Sequence, residues 1–163
     1  MVTSLTNNGE PHRAREHVLV PTDFSAASQS ATRKAAAVAR RLGGMVLLLH
    51  VIDLNAHTPP VGPANDAALR AELYTAAREQ LDRQVAELKA EAIPVKPLLR
   101  EGLPAEEIIQ VADECDLIVF GKPRPRPFWH WFSRRTVETV LKTAPCSVLL
   151  VCDKEVECSG GRP

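Results

Sequence analysis

The sequence carries no excess of either charge. Twenty Lys and Arg stand against twenty Asp and Glu, so the chain as a whole is not drawn to nucleic acid or to an anionic membrane surface. It also lacks a long apolar run. Nothing approaches the roughly 20 residues needed to cross a bilayer, and no membrane span is predicted. The opening Met1–Glu10 has neither a basic stretch nor an apolar one, so no secretory signal is read and a cytoplasmic location is the expectation. Cysteine is sparse: Cys115, Cys146, Cys152 and Cys158 form no C-x2-C pair and have no His at zinc spacing, so no metal is expected. Those beside apolar runs read as small hydrophobes, and Cys158, in a polar stretch, as the thiol most open to oxidation. Aromatics are scarce too, at 4% of the 163 residues. They are also concentrated, since Phe128-Trp-His-Trp-Phe132 holds both tryptophans and two of the four phenylalanines.

What is present is an alternation. Residues 1–15 are polar and aperiodic and read as a disordered arm. His17–Val20 is a short apolar run that stops at Pro21-Thr22-Asp23-Phe24-Ser25. Ser25 reads as the N-cap of a helix from about 26 to 42. Ala31, Ala35, Val38, Ala39 and Leu42 share one face of it, and Gly43-Gly44 ends it. Met45–Ile52 is almost unbroken apolar sequence, as in a parallel strand covered on both sides. Residues 53–65 read as a loop. From Asp66 to Glu91 the residues Leu69, Leu73, Ala76, Ala77, Leu81, Val85 and Leu88 recur at helical spacing. A strand follows over 95–100, then a helix opening at Pro104 with Glu106 and Glu107 in its first turn. Ile108, Ile109, Val111 and Ala112 form that helix's core side. Leu117–Phe120, a helix over 134–143 and Ser147–Val151 complete the order β-α-β-α-β-α-β-α-β. Such alternation predicts one domain over 16–152 with a doubly wound parallel five-stranded sheet and four helices, followed by a flexible tail over 153–163. Ligands of such sheets sit beyond the carboxyl ends of the strands, which selects the loops after Val20, Ile52 and Phe120.

The last of these loops is the richest in chemistry. A buried strand ends on Gly121, a stretch with Lys122, Arg124, Arg126, Arg134 and Arg135 and no acid follows, and a helix begins. Strand end and helix start together are a place where unpaired N–H groups meet an anion. Three readings stay open for the cluster. It can be a solvated loop neutralised by Glu138 or Asp23, an anion site, or a plug of arginine side chains. Pro123, Pro125 and Pro127 make the loop extended and stiff. The aromatic phrase either covers the following helix or fills the neighbouring pocket, or it forms a patch for a membrane surface or, across 122–133, for an unknown protein partner. Aromatic beside basic is also a single-stranded nucleic-acid pattern, which the neutral chain disfavours. His50 and His130 read as structural. Asp23 has no nucleophile and base set beside it, no triad or P-loop is present, and no enzyme is expected.

Four phrases together resemble the universal stress protein family. They are His17-Val-Leu-Val-Pro-Thr-Asp-Phe-Ser25, Leu49-His-Val51, Glu101-Gly-Leu-Pro-Ala-Glu-Glu-Ile108, and Val137–Val151 with its Ala144-Pro-Cys146. The resemblance spans about residues 16–152 and implies the sheet order 3-2-1-4-5, a Rossmann-like fold and the fifth strand at a sheet edge. In the family's nucleotide-binding branch a Gly-x2-Gly-x9-Gly-Ser/Thr motif holds the phosphates and ribose of ATP. On this chain its positions fall on Gly121, Arg124, Arg134 and Arg135, so three of four are arginine. Pro21, Thr22 and Asp23 match the segment after the first strand, and Val51 the apolar residue after the second. The resemblance therefore implies a cytoplasmic stress-response binding module with weak or lost ATP binding. The alternative it leaves is a protein that binds ATP or a related phosphate ligand with arginines in place of the glycines. The apolar Ser147–Val151 edge, with nothing apolar after it to cover it, predicts a homodimer through that strand.

Overall fold

The computed structural model describes residues 16–57, 67–122 and 134–152. In chain order the elements are β1 (His17–Pro21), α1 (Ala26–Leu42), β2 (Met45–Ile52), α2 (Leu54–His57), α3 (Ala67–Ala90), β3 (Val95–Glu101), α4 (Pro104–Ala112), β4 (Leu117–Gly121), α5 (Arg134–Thr143) and β5 (Ser147–Val151). All strands are parallel, in the order β3-β2-β1-β4-β5. The doubly wound five-stranded sheet and its four principal helices are as the alternation predicts. The single helical turn α2 is an addition, falling where residues 53–65 read as loop. Four residues give no repeat of a helical period, so no pattern could reveal it.

Strand position explains strand composition. β2 lies between β1 and β3, and seven of its eight residues are buried, which is why it can be apolar throughout. β3 is at one edge and admits Pro97, a residue with no N–H to give a ladder and so tolerated at an edge. β5 is at the other edge and leaves Leu150 exposed.

Alternation along the strands sorts the core into two layers. Val18 and Val20 of β1 and Val46 and Leu48 of β2 pack with Ala31, Ala35 and Ala39 of α1 and Leu81, Val85 and Leu88 of α3. The residues between them, Leu19, Leu47, Leu49 and Val51, pack on the other face with Ile108 and Val111 of α4 and Val137 and Val140 of α5. The alanine stripe lets α1 sit low on the sheet. Ser25 caps it, with the Ser28 N–H donating to Ser25 Oγ at 3.2 Å, and Gly43 closes it at φ 65°.

Two helix faces depart from expectation. Leu42, in register with the alanine stripe, is 56% exposed: it is the last residue of α1, and periodicity says nothing about where the sheet beneath a helix stops. In α3 only the part from Ala77 onward reaches the core. Ala77, Leu81, Gln84, Val85 and Leu88 are buried, whereas Leu69 and Leu73 are half-buried and Ala76 is exposed. The first half of α3 is held instead to the end of β3. Glu101 accepts a hydrogen bond from Tyr74 Oη at 2.8 Å and pairs with Arg70 at 2.8 Å. Burial first, then the Glu101 hydrogen bond, push the Tyr74 phenol above its usual range.

Candidate functional site

The carboxyl ends of β1 and β2 and the first half of α3 enclose a pocket of about 160 Å³ lined by Asp23, Phe24, His50, Ile52, Leu73, Ala76, Ala77 and Gln80. It lies where the first half of α3 leaves Leu73 half-buried and Ala76 exposed. Its floor is the β1–α1 junction, where the chain leaves Pro21 and must turn sharply into a helix. Phe24 makes the turn in the left-handed region, at φ 62°, a conformation that costs a residue with a Cβ about 1–2 kcal/mol. Two contacts hold it. Its N–H donates to Thr22 Oγ1 at 3.1 Å, and its ring stacks on His50 with centroids 4.4 Å apart.

Beneath the turn lies a buried polar network. Thr22 is fully buried, and its hydroxyl lies 3.2 Å from both Ser28 Oγ and Gln84 Oε1. The Thr22 carbonyl is 2.8 Å from His50 Nδ1. A proton on Nδ1 makes that a hydrogen bond, with the buried carbonyl accepting. His50 is thus a structural histidine, though it also forms a wall of the pocket. Asp23 turns its carboxylate back on its own loop, where Oδ1 accepts from the Ser25 N–H at 3.0 Å and from Ser25 Oγ. That contact fixes the α1 cap, so Asp23 does local structural work at the pocket's rim.

The residues singled out from sequence do not all converge. Pro21, Thr22 and Asp23 lie together at the end of β1. The Val51 side chain is buried in the opposite layer, toward α4 and α5, and gives the pocket nothing; the sides presented there by β2 are those of His50 and Ile52. Gly121 ends β4 against the first turn of α1. A Cβ there would fall on the carbonyl of Ala27 and 2.9 Å from the Ser28 nitrogen. Helix packing alone therefore demands glycine at 121, with or without a phosphate. Arg135 is exposed in the first turn of α5, and Arg134 begins that helix. Arg124, Arg126, the three prolines of the loop, the aromatic phrase 128–132, Cys158, the arm and the tail lie outside the described residues. Among the described residues no group of three or more His, Cys, Asp or Glu is placed to hold a metal, and no helix is long and apolar enough to cross a membrane.

Sequence reasoning missed Phe24, Ser28 and Gln84. Gln84 did leave a signal. It sits in the apolar register of Leu81, Val85 and Leu88, and a polar residue on a buried stripe needs a buried partner. Phe24 left none, because a positive φ at a phenylalanine is imposed by its surroundings.

The fold and the crevice define a class, a doubly wound α/β domain with its candidate site at the strand ends beside the switch point between β1 and β4. The comparisons give the family. The universal stress protein family model matches residues 14–151. "Universal stress protein MJ0531" of Methanocaldococcus jannaschii is 29% identical over 156 residues, covering 93% of this chain and 89% of that one. Among solved structures, universal stress protein UspA from Lactobacillus plantarum superposes with a TM-score of 0.68 at 27% identity, covering 85% of this chain and 99% of the other. The universal stress protein from Archaeoglobus fulgidus in complex with dAMP matches at 0.61 and 23% identity, over 83% and 96% of the two chains. This chain belongs to the universal stress protein family.

Proposed function

We propose that the protein is a regulatory binding module of the stress response, acting as a homodimer through β5 and through partner contacts, with ATP binding weak or lost. One observation carries this reading. Of the four positions at which the family's nucleotide-binding branch places its glycine-rich motif, three are arginine here, and the remaining Gly121 is accounted for by its packing against Ala27. Nothing in the motif is then left that only a nucleotide explains. Side chains at positions that must let backbone approach a phosphate take up that space.

A second reading has its own support. The pocket at Asp23 and Phe24 lies at the strand ends, a fold relative was solved with dAMP, and arginines are strong phosphate donors. In that reading Asp23 and the backbone of Pro21, Thr22 and Val51 frame a base while Gly121, Arg124, Arg134 and Arg135 meet the phosphates.

Calorimetry with ATP, together with mass spectrometry of any ligand released from the purified protein, separates the two. The module reading expects no stoichiometric nucleotide, and where the arginines plug the pocket it expects gain of ATP binding in the triple variant Arg124→Gly, Arg134→Gly, Arg135→Ser. Co-purified ATP near one per chain would overturn it. Under the second reading Arg134→Ala with Arg135→Ala weakens binding, by about 1.5–3 kcal/mol for each charge-assisted hydrogen bond lost.

A further inference from the structure

Cys146 and Cys152 stand one residue beyond the two ends of β5, symmetrically about Leu149. Within one chain they cannot meet, because six residues of extended strand separate them by about 20 Å, far beyond the roughly 4.4–6.8 Å between Cα atoms that a disulfide spans. Between two chains the geometry is different. It follows from which groups of β5 are free and from what a two-fold axis permits.

The Val151 carbonyl accepts the Lys122 N–H at 2.8 Å, so it points toward β4. In a strand the direction of the backbone groups alternates. Residues 147, 149 and 151 therefore face β4, and Val148 and Leu150 carry the N–H and C=O groups of the free edge. Continuing the sheet into a second copy requires antiparallel strands related by a two-fold axis normal to it. Residues directly opposite in such a pair share a face, and the axis keeps each residue on its face. Two opposed residues must then both be odd or both even, so the axis passes beside a residue and never between two. The register that pairs all five residues of β5 is centred on Leu149. It sets Val148 against Leu150 in both directions, with hydrogen bonds from both edge residues, and covers the exposed Leu150 side chain. One step further, at the bend over 145–146 that precedes β5, it brings Cys146 beside Cys152, twice.

We propose that Cys146 forms a disulfide with the partner subunit's Cys152, in two symmetric copies, so that oxidation locks the β5–β5 dimer covalently. This rests on the dimer of the preceding section. A hydrogen-bonded antiparallel pair has its Cα atoms about 5.5 Å apart, inside the Cα range of a disulfide, and its Cβ atoms, about 4.5–5.5 Å apart, close to about 3.5–4.5 Å when the bond forms. Cys146 is half-buried and packs with Val148 against the α4 and α5 layer, while Cys152 is exposed. A dissolved disulfide such as oxidised glutathione meets the exposed thiol first. The Cys152 thiolate attacks one glutathione sulfur and expels a glutathione thiolate, which takes up the released proton. The Cys146 thiolate of the other subunit then attacks the Cys152 sulfur and expels the second glutathione. Each bond converts two protein thiols and one glutathione disulfide into one protein disulfide and two glutathione thiols.

The test uses the full chain with Cys158→Ser. Light scattering without oxidant reads the dimer itself. Oxidised glutathione followed by a non-reducing gel reads the link. The expected result is a dimeric mass before oxidation, and a covalent dimer after it that dithiothreitol reverses. Adding Cys146→Ser or Cys152→Ser should each abolish the covalent band, and mixing those two variants should restore it, since one complementary pair survives in the mixed dimer. A dimeric mass with no covalent band, or a band that persists in the Cys146→Ser variant, overturns the lock and leaves the dimer standing. A monomeric mass overturns both.

Discussion

Phe24 concentrates the strain of the β1–α1 junction, and its effects can be separated by substitution. The left-handed backbone disfavours any side chain, whereas the stack on His50 favours this one by about 0.5–1.5 kcal/mol. Phe24→Gly relieves the backbone and loses the stack, so the two changes largely offset. Phe24→Ala loses the stack and keeps the backbone cost. Urea denaturation should find the alanine variant less stable than the glycine variant by about 1 kcal/mol. Equal stabilities would mean that the turn is not held at positive φ in solution. Cys146 illustrates the same scale in chemical terms. Burial, then the charges of Asp116 and Asp113, push its thiol above the usual range.

Among the elements, β4 meets α1 at Gly121. The first turn of α1 comes so close to Gly121 that a methyl group would strike backbone, and backbone cannot rotate away as a side chain can. Gly121→Ala should lower stability by about 1–3 kcal/mol, or about 2–4 °C in melting temperature for each kcal/mol in a chain of this size. The measurement is a thermal melt without nucleotide in the buffer. An unchanged melting temperature would remove the packing account of this glycine and return it to the phosphate. Most of this level was legible in the sequence. The strands of β1, β2 and β4 are apolar because both their faces are covered, and Ser25 and Gly43 punctuate α1 by known capping chemistry. What was not legible depends on the distance between elements. Leu69, Leu73 and Ala76 share a register with Leu81 and Leu88, and no pattern says that the first two are half-buried and the third exposed. Gly121 was conspicuous for the arginines that follow it, while the helix that packs against it is hidden in the sequence. The α2 turn is too short for any period.

At the scale of the whole molecule, the open question is what covers β5. Leu150 is 39% exposed on an edge strand, and an apolar edge with free backbone groups invites pairing. The alternation established by the Val151–Lys122 bond also says how to test that pairing without unfolding the domain. Leu149 faces β4, so Leu149→Pro would remove a donor from the β4–β5 ladder and damage the subunit itself. Leu150 faces outward, and a proline is tolerated on an edge where its missing N–H would have pointed to solvent. Leu150→Pro should therefore leave the circular dichroism spectrum of the folded domain intact and remove a hydrogen bond from each side of the two-fold. Light scattering at micromolar concentration should then report a dimer for the parent chain and a monomer for the variant. A parent chain that is already monomeric, or a folded Leu150→Pro protein that stays dimeric, would show that β5 is not the interface.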